Sequence, residues 1–331
     1  MKLFSLRSAL FSLIGVSGLF GLLFFHTPIV RAITVSPVIV DLEIDPGKST
    51  QGSLHITNST EKTATYYLNV QNFVAQGEEG HQDFLPEGEL FGLASWITPE
   101  TESVTLEPNE SGDFRYVVNV PQDAEPGGHY AAVFFSTRPA SAEEGSSVGV
   151  GAKTGILFLL RVAGDIIEDA RVESFTTTGG WHNRLPVYLT LRVKNLGNVH
   201  IRPEGDIIVR SMFGSIADKI PANSRRAAVL PDSIRRVEAA WAKTFDMEQG
   251  GFFTELKNEW NNFALGRYTA ELDARYGVTK QPLSAQVTFW VIPWRVLSIV
   301  VLLLVVLLFL LKGYNKMVVR SALKQHTPKN K

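Results

Sequence analysis

Short segments of this chain alternate apolar and polar residues with a period of two. These segments lie at residues 53–57, 66–71, 114–120, 187–194 and 287–291. Successive side chains of a β-strand point to opposite faces of a sheet, so each segment predicts a strand with one buried and one wet face. Turn sequences such as Asp45-Pro46-Gly47 and Pro126-Gly127-Gly128 separate them. Many short strands joined by Gly- and Pro-rich turns predict an all-β fold built from β-sandwiches.

A weak internal repeat divides this β-rich body in two. Asn58 and Asn195 each end a predicted strand at a turn, and Gly128-His129-Tyr130 resembles Gly266-Arg267-Tyr268. The spacing from asparagine to glycine is 70 residues in the first copy and 71 in the second. A tyrosine that opens a strand in this way resembles the tyrosine corner of immunoglobulin-like sandwiches, whose hydroxyl bonds to the backbone. The repeat predicts two tandem immunoglobulin-like domains, residues 33–165 and 166–292; chance similarity of short motifs is the alternative.

The N-terminus carries the pattern of an export signal. Lys2 and Arg7 precede an apolar run from Ala9 to Phe25, and Val30-Arg31-Ala32 then places small residues at the cleavage positions. Residues 1–32 are therefore predicted to be a secretory signal peptide. An uncleaved anchor helix is the alternative.

A second apolar segment lies near the C-terminus. Val296–Leu311 has only Ser298 as a polar residue, and with the apolar residues before it the segment reaches the ~20 residues that span a bilayer. We predict a transmembrane helix over residues 293–311, with a buried core helix as the alternative. Six basic residues and no acid follow Leu311, which predicts a cytoplasmic basic tail over 312–331 and a single-pass type I protein of the cell membrane with its body outside. The membrane-interface candidates are Trp260, Trp290, Trp294, Arg295, Lys312 and Lys316.

Charge and cysteine content exclude several classes of protein. The predicted first domain has 19 acidic and 6 basic residues, whereas the second has 14 acidic and 16 basic. Such an acidic body does not bind nucleic acid electrostatically. The chain has no cysteine, so disulfides, cysteine-ligated metals and thiol nucleophiles are absent. Metal-binding histidine spacing, a nucleophile elbow and a complete phosphate loop are missing from the sequence. We predict no catalytic residue, no metal and no cofactor.

Comparison of the two copies locates one insertion in each. The first, within Ala75–Trp96, is acidic and carries aromatic residues, so it is either a solvated hairpin or a protruding hairpin that binds a partner. Its partner-binding candidates are Glu78, Glu79, His81, Asp83, Phe84 and Glu87. The second, within Phe245–Phe263, places large apolar residues at helical spacing. It predicts a helix that lies on the outer leaflet or packs across the end of the sandwich, and its acidic residues argue for the second placement.

Several motifs of the first domain resemble a known family. They are Ser36-Pro37, Pro46-Gly47, Asn58, Trp96, Val120-Pro121, Ala124 and Pro126-Gly127-Gly128-His129-Tyr130. Their order and spacing are similar to the N-terminal domain of bacterial WxL-interacting proteins, long classed as a domain of unknown function. That resemblance implies two immunoglobulin-like domains, a C-terminal transmembrane helix and display at the cell surface. It further implies that the first domain contacts peptidoglycan and the second contacts a partner protein.

Three functions follow as hypotheses. The first is a non-catalytic, membrane-anchored adaptor that binds peptidoglycan, a secreted or surface protein, or both. The second is a chaperone-like or structural envelope module, which predicts an unpaired edge strand and a basic cleft. Arg225-Arg226 and Arg235-Arg236 are the candidates for that cleft. A membrane-bound enzyme is the least favoured, because the sequence offers no catalytic constellation.

Overall fold

A computed structural model describes residues 33–86, 91–137 and 153–325 of the chain. The predicted signal peptide, residues 1–32, and the partner-binding candidate Glu87 lie outside these ranges. The N-terminal part folds into strands and one short helix. They are β1 (Ile33–Ser36), β2 (Ile39–Ile44), β3 (Ser49–Asn58), β4 (Ala64–Gln76), β5 (His81–Phe84), α1 (Gly92–Trp96), β6 (Ile97–Pro99), β7 (Ser103–Leu106), β8 (Ser111–Asn119), β9 (Gly127–Ser136) and β10 (Lys153–Val162).

These strands form the first sandwich. One sheet has the order β1-β3-β8-β6, and the larger sheet has the order β2-β10-β9-β4-β5 with β7 also paired to β4. The pair β2 and β10 is parallel, and the remaining described pairs of this sandwich are antiparallel. Alternate residues of the facing sheets meet in one core, where Leu54, Phe135 and Phe158 are fully buried. The period-two pattern drives this arrangement because it buries one face of each strand.

The second sandwich follows directly along the chain. Its elements are β11 (Ala170–Thr177), β12 (Trp181–His182), β13 (Val187–Asn195), β14 (Glu204–Ser211), β15 (Ile216–Pro221), β16 (Ile234–Trp241), α2 (Phe252–Asn261), β17 (Gly266–Tyr276) and β18 (Gln281–Val291). The sheets have the orders β11-β13-β16 and β12-β18-β17-β14-β15. Leu189, Leu191 and Phe289 are buried between them in a core of their own. The predicted all-β fold of two tandem sandwiches is therefore confirmed.

A long helix, α3 (Trp294–Gln325), begins three residues after β18 ends at Val291. Within its segment Trp294–Arg320, an 18-residue stretch has a mean hydropathy of 3.0 and is almost entirely exposed, so among the described residues α3 is the one helix long and apolar enough to cross a membrane. Exposure excludes the alternative of a buried core helix. The helix continues beyond residue 311, so Lys312 and Lys316 lie on it one turn apart rather than in a separate tail.

The internal repeat is visible in the hydrogen bonds of two fully buried asparagines. Asn58 donates from Nδ2 to the carbonyls of Lys62 and Leu106, and its Oδ1 accepts the N–H of Thr60. Asn195 donates to the carbonyls of Val199 and Val229 and accepts the N–H of Gly197. Each amide thus joins its own turn to a neighbouring segment in the same way.

The tyrosine-corner prediction is right for one tyrosine and wrong for the other. The Tyr268 hydroxyl donates to the Leu265 carbonyl at 3.3 Å, as such a corner requires. The Tyr130 hydroxyl lies instead 3.4 Å from Nδ1 of His200 in the second sandwich. Tyr130 points away from its own core because it stands at the junction of the two sandwiches.

Candidate binding cleft between the two sandwiches

A cleft of about 200 Å³ lies between the two sandwiches. Its apolar side comes from the outer face of the larger sheet of the first sandwich. The residues on that side include Ile39, Phe73, Leu157 and Leu159. Its basic side comes from the second sandwich and contributes Arg202, Arg225, Arg226 and Arg235. The cleft therefore combines an apolar floor with four guanidinium groups.

The apolar floor exists because β9 is buried on both faces. All five residues from Ala131 to Phe135 are buried, whereas a strand with one wet face would alternate. Ala132 and Phe134 form a small second core with Phe73 outside the main core, and Leu230 of the second sandwich packs against it. The continuous apolar run at 131–135 is the sequence signal that indicates this second buried face.

The four arginines differ in how they are paired. Arg202 is paired with Asp41 of the first sandwich, and Arg226 lies 2.9 Å from the Glu204 carboxylate. Arg225 is exposed and has no ion pair among the described residues. Nε of Arg235 is buried and has no hydrogen-bond partner there. Burial lowers the pKa of Arg235, although the charge of Glu79 opposes the effect.

These groups suit an anionic ligand. Among the described residues that line the cleft, none has an acidic side chain. A guanidinium group presents donors in a planar fork that matches a carboxylate, and it keeps its charge at any physiological pH. The neighbouring apolar floor offers burial to hydrocarbon side chains of the same ligand. The arrangement fits a carboxylate-bearing segment that also carries apolar groups.

The acidic insertion of the first sandwich holds one side of this junction. Glu78 accepts two hydrogen bonds from the Arg192 guanidinium, one of them 2.6 Å from Nε. Glu79 lies 2.9 Å from Arg236, whose backbone N–H donates to the Glu78 carbonyl at 2.8 Å. The hydrogen bond from Arg192 lowers the pKa of Glu78. The turn between β4 and β5 therefore joins the two sandwiches.

Asp41 and the linker hold the other side. Asp41 is paired with Arg202 and lies 3.2 Å from Nε2 of His200, which is nearly fully buried. Arg161 of β10 lies 2.9 Å from Glu168 of the linker, whose carboxylate accepts the backbone N–H of Val278 at 2.8 Å. Contacts on both sides of the cleft therefore join the two sandwiches.

The predicted partner-binding candidates do not lie together at one site in the structure. Glu78 and Glu79 pair with Arg192 and Arg236 of the second sandwich, and Glu79 stays exposed. His81 lines the cleft, and Asp83 is exposed on β5. The Phe84 ring packs edge-on against Phe134 with centroids 4.9 Å apart. Binding of an external partner by these residues stays a prediction.

The arginines predicted for a basic cleft are largely brought together. Arg225, Arg226 and Arg235 line the cleft, whereas Arg236 turns to Glu79. Sequence reasoning missed Arg192, Arg202 and Asp41 because each meets its partner more than 100 residues away along the chain. Nothing in the local sequence indicates such pairings.

The membrane-interface candidates lie at the opposite end of the second sandwich or on α3. Trp290 stacks on Trp181 with ring centroids 5.5 Å apart, and Trp260 is exposed on α2. The Arg295 guanidinium lies 4.7 Å from the centre of the Trp294 ring and is paired with Glu259. Lys312 and Lys316 are exposed on α3. Their contact with a membrane stays a prediction.

Within the parts of the chain that the structure describes, no three His, Asp or Glu side chains form a group that could hold a metal ion. The predicted lack of a cofactor stays a prediction.

Comparisons with known proteins give a likeness to solved structures. No family model and no curated protein matches the chain. The class 5 fimbriae chaperone CfaA is 11% identical over 78% of this chain and 98% of its own, with a TM-score of 0.34. The Escherichia coli chaperone DraB is 12% identical over 77% of this chain and 96% of its own, also with a TM-score of 0.34. A chaperone–tip adhesin complex of CFA/I fimbriae biogenesis is 8% identical over 78% of this chain and 98% of its own, with a TM-score of 0.36. At such identities and TM-scores, the likeness assigns neither a function nor a partner to this chain.

Proposed function

We propose that this protein is a non-catalytic, membrane-tethered binding protein that holds an acidic, partly apolar segment of a partner protein in the cleft between its sandwiches. The observation that carries the proposal is the set of four arginines over an apolar floor, where the described part of the lining holds no acidic side chain. The exported body is otherwise acidic, so the cleft is a local basic site on an acidic surface. Such a contrast favours anionic segments over other surfaces.

The tether is α3, with the body of the protein outside the cell and the basic C-terminus in the cytoplasm. In this arrangement the protein acts as a surface adaptor that retains a secreted or surface protein at the membrane. A chaperone-like or structural envelope module would use the same cleft but release its partner. Membership of the WxL-interacting family and binding of peptidoglycan belong to the adaptor proposal as expectations.

A peptide titration tests the cleft. The full-length chain in lipid nanodiscs is titrated into a fluorescein-labelled short peptide of alternating leucine and glutamate, and fluorescence anisotropy reports binding. We expect the affinity to fall about tenfold with Arg225→Glu, because one charge-assisted hydrogen bond is lost. Arg225 is exposed and unpaired among the described residues, so this change leaves the fold intact.

Two controls sharpen the result. Arg115→Glu reverses an exposed charge on β8, in the sheet that does not face the cleft, and it leaves the affinity unchanged. A peptide of alternating leucine and lysine does not bind. If Arg115→Glu and Arg225→Glu lowered the affinity for the peptide equally, the attraction would be non-specific and the proposal would be overturned. Peptidoglycan sacculi serve as a second bait. If the wild type sediments with them and Arg225→Glu does not, the cell wall is the source of the anionic segment.

A further inference from the structure

The end of the second sandwich nearest α3 carries most of its exposed aromatic side chains. Strand register defines this end, because Gly266 of β17 pairs with Val291, three residues before α3, whereas Tyr276 pairs with Gln281 at the other end. Three side chains there are among the most exposed of the second sandwich: Phe213 at 85%, Phe253 at 78% and Trp260 at 68%. They form, with Trp181, Leu265 and Trp294, what we name the aromatic rim.

The members of the rim come from separate elements that converge on the start of α3. Trp181 of β12 pairs with Trp290 of β18, one residue before that strand ends. Phe213 lies in the turn after β14, whose last residue, Ser211, pairs with Tyr268 near the start of β17. Phe253 and Trp260 lie seven residues apart on α2 and so share one face of that helix. Chain segments from one sheet and from the second insertion thus present aromatics at one end.

Helix α2 is fastened to the first turn of α3. The Glu259 carboxylate is fully buried and accepts the backbone N–H groups of Arg295 at 2.9 Å and Val296 at 3.2 Å. It also lies 2.7 Å from the Arg295 guanidinium. The first N–H groups of a helix have no partner within the helix, so a side-chain acceptor there caps it. Glu259 therefore sets α2 beside the first turn of α3.

Most acidic residues of the second insertion are buried or paired. Glu259 is buried, and Glu255 is paired with Arg184 and lies 3.9 Å from Arg295. Glu248 lies 2.7 Å from Lys257. Asp246 is exposed, but it precedes α2. Since Glu255 and Glu259 of α2 are paired, the exposed side of this helix is dominated by Phe253 and Trp260.

We propose that the aromatic rim sits in the headgroup layer of the outer leaflet, with α2 lying on the bilayer beside α3. Exposed apolar patches of this kind mark surfaces that are covered in use. The bilayer is the occupant that continuity indicates, because α3 leaves this same end of the sandwich and carries the apolar run Val296–Leu311. Aromatic side chains are enriched at this depth of a membrane. The inference rests on the proposed tether, namely that α3 spans the bilayer.

The absence of cysteine allows single spin labels to test the depth of chosen positions. Asn261→Cys lies at the end of α2, Val278→Cys is exposed at the opposite end of the sandwich, and Val305→Cys lies within α3. Each full-length variant is labelled and reconstituted in phosphatidylcholine vesicles with a minor share of phosphatidylglycerol. Power saturation then compares collisions with oxygen, which favours lipid, and with a nickel chelate, which favours water.

We expect the oxygen-to-nickel ratio to be highest at 305, intermediate at 261 and lowest at 278. Adding Phe253→Ser and Trp260→Ser to the 261 variant lowers its ratio to that of 278, whereas Val278→Ser in the same variant leaves the ratio unchanged. If the ratio at 261 equals that at 278 while the ratio at 305 still reports lipid, the inference is overturned but the proposed tether is not. If the ratio at 305 reports water, both the inference and the tether are overturned. Spin–spin broadening at 261 that disappears on dilution with unlabelled protein would mean that a second copy covers the rim, and the inference would be wrong.

Discussion

Asp41 of the first sandwich and His200 of the second face each other across the junction, with Oδ1 of the carboxylate 3.2 Å from Nε2 of the imidazole. Burial disfavours the carboxylate, but hydrogen bonds from His200 and Arg202 and their charges outweigh it and lower the pKa of Asp41 from 3.8 to about 2. A carboxyl whose pKa is lower in the folded protein stabilises it above its unfolded pKa. That contribution disappears as the pH falls through the folded value.

We therefore expect the wild type to be more stable than Asp41→Asn at about pH 5, with the difference shrinking towards pH 2. Urea unfolding of both proteins across this range measures the effect. Asp113→Asn, at an exposed carboxylate that meets His55 within the first sandwich, serves as control. A difference between wild type and Asp41→Asn that does not change with pH would contradict the assignment.

Glu78 restrains the two sandwiches through Arg192. Glu78→Gln removes the charge of this pair, so we expect a wider range of angles between the sandwiches. Spin labels at Asn119→Cys and Ala217→Cys, one in each sandwich, report this as a broader distance distribution in double electron–electron resonance. Glu173→Gln, whose partner Arg171 is in the same sandwich, should leave the distribution unchanged. Equal broadening by both changes would argue against a specific restraint.

Arg235 carries an unsatisfied buried nitrogen, which costs stability. Arg235→Met keeps an unbranched stem in the same place and removes that nitrogen. We expect stability to be unchanged or to rise by about 1 kcal/mol, and affinity for the acidic peptide to fall about tenfold. Weaker peptide binding without a loss of stability indicates that Arg235 serves ligand binding. A loss of both would make Arg235 a structural residue only.

Glu259 joins α2 to α3. Glu259→Ala leaves Arg295 and two backbone N–H groups without their acceptor, so we expect a loss of about 3 kcal/mol in the second sandwich. Urea unfolding in detergent, followed by tryptophan fluorescence, measures it. Glu248→Ala removes an exposed carboxylate of the same insertion and should cost about 0.5 kcal/mol or less. Comparable losses from the two variants would exclude a special role for Glu259.

The paired asparagines offer a test of the repeat. Asn58→Ala and Asn195→Ala each leave buried backbone groups without a hydrogen-bond partner. Each is therefore expected to lower the free energy of unfolding of its own sandwich by about 2–3 kcal/mol. Asn119→Ala, at an exposed strand position, is the control. Native-state hydrogen exchange resolves the two sandwiches separately. A loss confined to Asn58→Ala would mean that the two turns are not equivalent.

The sequence predicts those parts of the fold that depend on local patterns. Period-two alternation identifies strands such as β13, and the spacing of Asn58 and Asn195 identifies two copies of one domain. The junction could not be predicted in the same way. Arg192 is on the wet face of β13, where an arginine normally meets water, and only the folded arrangement brings it to Glu78.

Tyr130 and Glu259 show why local patterns mislead at contacts between elements. Tyr130 occupies the position of a tyrosine corner, but its hydroxyl is paired with His200 of the second sandwich. Glu259 counts as a surface charge in the sequence, whereas the first turn of α3 buries it completely. In both cases the decisive group belongs to an element distant along the chain.

The length of β17 sets the distance between the start of α3 and the sandwich junction. The strand has 11 residues and runs from the end beside α3 to the end beside the junction. At about 3.3 Å per residue it separates these two ends by about 36 Å. If α3 is the proposed tether and β17 stands upright on the bilayer, a membrane-bound partner would need a stalk of roughly 10 extended residues to reach the cleft. In that proposal the second sandwich is a spacer, and partners are selected by reach as well as by charge.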